Sequence, residues 1–352
     1  MNRFLTVVAL GSLVGLQGCK TSSEQASNFT SAQPDTIRVV LVSYFPVQGE
    51  YIDNTKTGDW GEKLDFTRAK VDSVTAVLVN SLQKGSIYHG YKDSLAVPSL
   101  VYEIVNQQEY LEPLPTFERP DGKVPMTDYA SIFEQVGGKS WVTDYGVDEF
   151  WVWGYHGGVI DLWESNMSSP YGDVSNSDRD PNDLPVLATT YTMYHYNYQR
   201  GAAETVENHM HQLEAVLNFA DGRDSTPTED WPGLLFWGHF VGSDSTHRLL
   251  DPRRAGWSHY PPNAEKDYQW ANTTSVFSDI EDWKPDQFGT GQEIECSRWD
   301  CDHLGWFVYW MQNIPGANNG LTYKNRPLRN WWSFIGQYDT AKREEWKLWK
   351  ED

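Results

Sequence analysis

The sequence predicts an α/β protein: a mainly parallel sheet with flanking helices and an irregular, Trp-rich C-terminal third. Two observations lead there. Between residues 36 and 240, β-branched and aromatic runs alternate with segments of helical periodicity, the pattern of βαβ units. After Gly256 the periodicity weakens, and ten of the 17 tryptophans fall in that stretch.

The first element is the run TIRVVLVSYF at 36–45, ended by Pro46, which reads as a strand buried on both faces. A helix is expected over 65–83, with Ala69, Val74, Val77, Leu78 and Leu82 at helical spacing and Lys84-Gly85 as its stop. A short helix follows from Thr127, with Ile132, Phe133 and Val136 apolar and Gly137-Gly138 behind them. Strands are expected at 147–153, halted by Gly154, at 186–196, and at 234–240, with a long helix at 201–220 between the last two. Beyond Gly256, indoles serve as large packing units in a wrap around the core, over about 256–352. No proline- or serine-rich break divides residues 36–352, so they are expected to form a single domain.

The N-terminus reads differently. Arg3 precedes an apolar run of 12 residues, 5–16, too short to span a bilayer and of the length of a secretory signal. It ends in Leu16-Gln17-Gly18-Cys19, which resembles the lipobox of bacterial lipoproteins. The resemblance implies cleavage after residue 18, acylation of Cys19 and, with Lys20 next, anchorage at the outer membrane. Several acyl chains anchor stably where one does not. Residues 19–35, rich in Ser, Gln, Thr and Ala, read as a lipidated flexible tether.

The formal charge is −21, and loss of Arg3 with the signal makes it −22. No positive stripe is visible, so nucleic acid is an unsuitable partner. The acidity favours solubility or cations. With Cys19 set aside, Cys296 and Cys301 form a C-x4-C pair, in an oxidising compartment most simply a disulfide; a metal site would want more sulfur ligands.

Chemistry is sought first beyond the carboxyl ends of the strands, where open parallel sheets bind ligands. Those ends offer Tyr44 and Phe45; Tyr155, His156, Gly157 and Gly158 with Asp161 and Glu164; Tyr196, Asn197, Tyr198 and Arg200; and His239. The long helix carries the sharpest pattern. Glu204, Glu207, His211 and Glu214 fall within about 80° on one face, opposite Val206, Met210, Leu213 and Leu217. Such a stripe is either a solvated face or a site that shares a divalent ion. His209 points elsewhere. Glu164 stands beside Trp163, where a raised pKa suits a general acid. Asn176, Asp178, Asp180 and Asn182 weakly resemble the start of a calcium loop, but Pro181 occupies the glycine position. There is no phosphate loop, G-x-S-x-G elbow or HExxH helix.

The segments Arg200-Gly201-Ala202-Ala203-Glu204, His211-Gln212-Leu213-Glu214 and His259-Tyr260-Pro261-Pro262-Asn263 together resemble an uncharacterised group of Trp-rich secreted microbial proteins. The resemblance implies that residues 147–332 form one unit and implies no substrate. The functional expectation is a lipid-anchored envelope hydrolase acting on a glycan or peptidoglycan-like polymer. A metal-assisted version uses a divalent cation, zinc or calcium, on Glu207, His211 and Glu214 or His259, with Glu164 or Glu204 as base and His156 and His239 as further acid–base candidates. A metal-free version pairs Glu164 with Glu207. The alternatives are a non-catalytic surface module that binds a glycan or an envelope protein through exposed tryptophans, and a purely structural lipoprotein.

Overall fold

A computed structural model of the chain describes residues 33–93, 95–119, 122–174 and 184–351. The expected signal peptide, Cys19, most of the tether and the Asn176–Asn182 oxygen series lie outside the described residues. Residues 33–352 form one compact unit. No helix among the described residues is long and apolar enough to cross a membrane.

The protein is α/β. Its five-stranded sheet contains β1 (Asp35–Tyr44), β2 (Leu100–Tyr110), β3 (Glu149–Gly154), β4 (Ser165–Ser168) and β5 (Tyr191–Asn197), in the order β2-β1-β3-β5-β4. The β2-β1, β1-β3 and β3-β5 pairings are parallel, and β4 alone runs antiparallel at its edge. Two strands were not expected from sequence. The polar segment VNQQEY in β2 suits an edge strand with half-exposed faces, and the four-residue β4 is too short to show a period.

Helices cover both faces. Phe133 of α2 (Tyr129–Gln135) packs on Phe150 and Tyr191, while Trp151, one residue further along β3 and therefore on the other face, meets His209 of α4 (Ala202–Ala220). On that second face α4 packs with α1 (Leu64–Gly85) and α5 (His303–Met311), and α3 (Gly138–Tyr145) follows α2 directly after Gly137. The buried stripe of α1 is rotated from the expected one. Thr67, Val71, Thr75, Leu78 and Leu82 face inward, whereas Ala69 and Val77 are exposed, because threonine methyls fill positions that an apolar count overlooks.

Two expectations about strand ends are corrected. The apolar run at 234–240 is not a strand: Leu235–Val241 is a π-helix, with the amides of His239 and Gly242 bonding back five residues to Leu234 and Trp237. A short buried apolar run carries no period that separates strand from helix. The crevice beyond β1 and β3 is not open either. Phe45 and Trp60 close on Tyr198, and Gln199 donates to the Thr57 carbonyl, so the segment after β1 plugs it.

The C-terminal wrap buries Trp283, Trp299, Trp306, Trp310, Trp331 and Trp332, six of its ten indoles. These are packing units, which removes them as exposed glycan platforms. Several also tie down backbone: Trp306 and Trp310 of α5 donate to the carbonyls of Ser258 and Gly256 at 2.8 and 3.0 Å. Cys296 and Cys301 are joined in a disulfide beside this layer.

Candidate metal centre

The polar stripe of α4 is covered rather than solvated. The segment 256–270 lies over it, leaving the side chains of Glu207 and His211 14% exposed. Three constraints hold that segment. Gly256 has φ +70°, and a Cβ there would sit 2.1 Å from the Tyr260 carbonyl oxygen, so only glycine permits the turn. The indoles of α5 grip its backbone from below. Glu214 receives the Ser258 amide at 2.8 Å on Oε1 and the Ser258 hydroxyl at 3.0 Å on Oε2.

The next residue is His259. Its Nε2 lies 2.9 Å from His211 Nε2 and 3.0 Å from Glu207 Oε1, and His211 Nε2 is 4.0 Å from the same oxygen. Glu207, His211 and His259 thus direct one ligand atom each at a common point, all within 4.8 Å of one another. The other nitrogen of each imidazole has its own carboxylate: His211 Nδ1 meets Glu164 Oε2 at 2.8 Å, and His259 Nδ1 meets Asp267 Oδ1 at 3.1 Å. A carboxylate on Nδ1 fixes the tautomer that turns the Nε2 lone pair outward, the usual setting of a metal-bound histidine. Glu207 Oε1 is buried and receives no hydrogen bond.

The electrostatics agree with this geometry. Burial works against a charged His211, but Glu164, with Glu214 and Glu207 behind it, overcomes that and raises its pKa to about 9. Burial raises the pKa of Glu214 in turn. Four carboxylates around two imidazoles form a partly desolvated centre that favours positive charge between the ligand atoms, carried by a protonated His211 or by a metal that displaces its Nε2 proton. Two nitrogens and a carboxylate oxygen suit zinc or another borderline metal. Calcium wants six to eight oxygens, and the set does not provide them.

The other sequence candidates are placed elsewhere. Glu204 turns back to the Gly201 amide at 3.2 Å, capping its own helix, and so serves the helix rather than the cluster. Glu214 is the anchor of the covering segment, with both oxygens engaged. His156 is closed into a buried cluster, Nε2 3.2 Å from His195 Nδ1, which also meets Thr127 Oγ1 at 2.9 Å. Burial lowers the His156 pKa to about 4, so it is uncharged at neutral pH. His239 sits on the π-helix against the Pro285 carbonyl, apart from the cluster. His209 faces the sheet, bonded to the Tyr196 hydroxyl. Glu164 stands at the start of β4, which enters at the carboxyl edge of the parallel strands, and there it orients His211.

Three contributors escaped the sequence reading. Asp267 and Tyr268 follow the HYPPN segment, and the Tyr268 hydroxyl lies 3.2 Å from His259 Nε2. Tyr268 has φ +61°, a costly conformation for a tyrosine, held by its amide on the His259 carbonyl. Ser258 is the third. Their only sequence signal was adjacency to His259.

The cluster opens on a cleft of about 610 Å³ lined by Glu164, His211, His259, Trp237, Trp257 and Tyr268, among others. No protein-family model matches this chain, and no curated protein matches it.

Proposed function

We propose that this protein is a metal-dependent hydrolase of the cell envelope that acts on a glycan and is held at the membrane by lipid on Cys19. The observation that carries the proposal is the pair of imidazoles turning Nε2 toward one carboxylate oxygen while each Nδ1 rests on a carboxylate of its own. A divalent ion held there by Glu207, His211 and His259 would supply Lewis-acid polarisation and activation of water.

The chain's own groups divide the remaining work. Glu207, His211 and His259 hold the ligand positions, and Glu164 and Asp267 keep the Nδ1 protons. Tyr268, half exposed, offers its hydroxyl to an oxygen of a bound substrate. Trp257 stacks on His259 and on Tyr260, with ring centres 5.0 and 5.1 Å apart, and its accessible edge gives the cleft an apolar wall against which a sugar ring can rest. The metal-free version is not favoured, because Glu164 and Glu207 both face histidines rather than flanking an open gap where a glycosidic bond could lie.

The test is reducing-end release from envelope and extracellular polysaccharides by zinc-loaded, chelator-stripped and reloaded protein. Turnover is expected only in the loaded states, and to fall by more than roughly a hundredfold in Glu207→Ala and His211→Ala. Unchanged turnover in both variants overturns the metal-assisted reading. Glycan binding with no turnover in any state supports a non-catalytic module instead. Mass spectrometry of the mature N-terminus decides the anchor: a free thiol on Cys19 contradicts it.

A further inference from the structure

The same cleft carries a cation without an ion-pair partner among the described residues. Arg223, in the turn Arg223–Ser225 that follows α4, has its guanidinium 5.1 Å over the Trp231 ring and 4.7 Å over the Trp237 ring, and it lines the cleft that holds His211 and His259. Contact with an aromatic ring leaves guanidinium N–H donors unsatisfied, because a ring offers them no acceptor oxygen. Its Nε is buried without a hydrogen bond. Asp224 and Glu214 act on it only through space, and both Glu214 oxygens already serve Ser258. Arg119, on the same cleft, is by contrast ion-paired with Asp161 at 2.7 Å. A buried guanidinium N–H without an acceptor is costly in any protein. In a chain of charge −21 it is not there for want of carboxylates.

Aromatic rings connect this arginine to the metal candidate. Trp231 meets Trp237 at 6.1 Å, Trp237 meets His247 at 5.4 Å, His247 meets Trp257 at 5.5 Å, and Trp257 meets His259 at 5.0 Å. These rings pack on one another, Trp237 edge to face with both Trp231 and His247, and fix the arginine's place on the cleft wall; a guanidinium edge there fits a planar carboxylate through two parallel N–H···O bonds.

We propose that the cleft takes an acidic glycan, with Arg223 binding the carboxylate of a uronic-acid-type sugar. This rests on the glycan reading above, but Arg223 is no part of the metal cluster, so the two can fail separately.

The experiment is calorimetric titration of the full mature protein, at physiological salt, with a panel of uronic-acid oligosaccharides, their methyl esters and sulfated counterparts. The wild type is expected to bind the carboxylate form at least about tenfold more tightly than the ester, since a hydrogen-bonded charge of this kind is worth that much. Arg223→Gln is expected to bind the two alike, and Arg223→Lys to recover part of the preference. Acid and ester binding equally to the wild type, neither binding, or a preference that survives Arg223→Gln overturns the proposal, and so does tighter binding of the sulfated form. Loss of metal-dependent turnover with the preference intact sinks the hydrolase and leaves this inference standing.

Discussion

Two imidazoles whose Nε2 atoms face each other across 2.9 Å cannot both carry a proton there, and a carboxylate oxygen 3.0 Å from one of them adds negative charge to the same space. Something positive must lie between, either a single shared proton or a metal. The carboxylates on the two Nδ1 atoms favour the metal, because they fix both lone pairs toward it. Replacement of Glu164 by Gln is therefore expected to weaken zinc binding roughly 10–100-fold, as loss of such a partner does, without unfolding the protein. Competition against a chromophoric chelator measures it, and an unchanged affinity contradicts the role given to Glu164. A second residue speaks to stability. Glu149 is fully buried, and burial raises its pKa to about 8 despite the Trp151 indole donating to it at 2.7 Å. The folded state thus holds a proton that the unfolded chain releases near the ordinary glutamate value of 4.5. Stability contributed by this group is complete below that value and lost as pH rises toward 8. Thermal melts from pH 5 to pH 8 should show Glu149→Gln gaining on the wild type as pH rises. A constant difference contradicts the burial account.

At the scale of elements, α4 and the segment 256–270 make the site together, and neither does so alone. The helix was legible because its apolar residues fall on one side and its acids and His211 on the other. Whether the acidic side meets water or a site was not, since that depends on a segment 40 to 60 residues further on whose path is set by Gly256, Ser258 and two indoles. Replacement of Gly256 by Ala is expected to cost roughly 1–3 kcal/mol in denaturant unfolding, because φ +70° strains any Cβ-bearing residue and the Tyr260 carbonyl occupies the space. Zinc affinity should fall with it, since the turn places His259. Full stability in that variant would show the turn to be adaptable. The π-helix Leu235–Val241 marks the other limit of sequence reading: an apolar run of seven fits a strand or a helix equally, and only packing decides.

Across the whole molecule, the Trp-rich third is a scaffold for the centre. Its composition announced large packing units, but composition cannot say which backbone an indole N–H will hold. Replacement of Trp306 by Phe keeps most of the buried volume and orphans the Ser258 carbonyl, so a loss of roughly 1–3 kcal/mol is expected, with weaker zinc binding alongside. Retained metal affinity despite that loss would separate the scaffold from the site. The parallel sheet was foreseeable from its long β-branched runs, whereas the plugged crevice at its carboxyl ends was not, because it depends on where the chain goes after β1. With the strand ends plugged, the candidate cleft lies at the flank of α4 instead. The central claim concerns what lies at that flank. Elemental analysis of tag-free mature protein, purified without chelator, should find about one equivalent of zinc or a similar transition metal, and none in His211→Ala of the same fold by circular dichroism. Metal-free wild type that also fails to take up zinc on dialysis would contradict it.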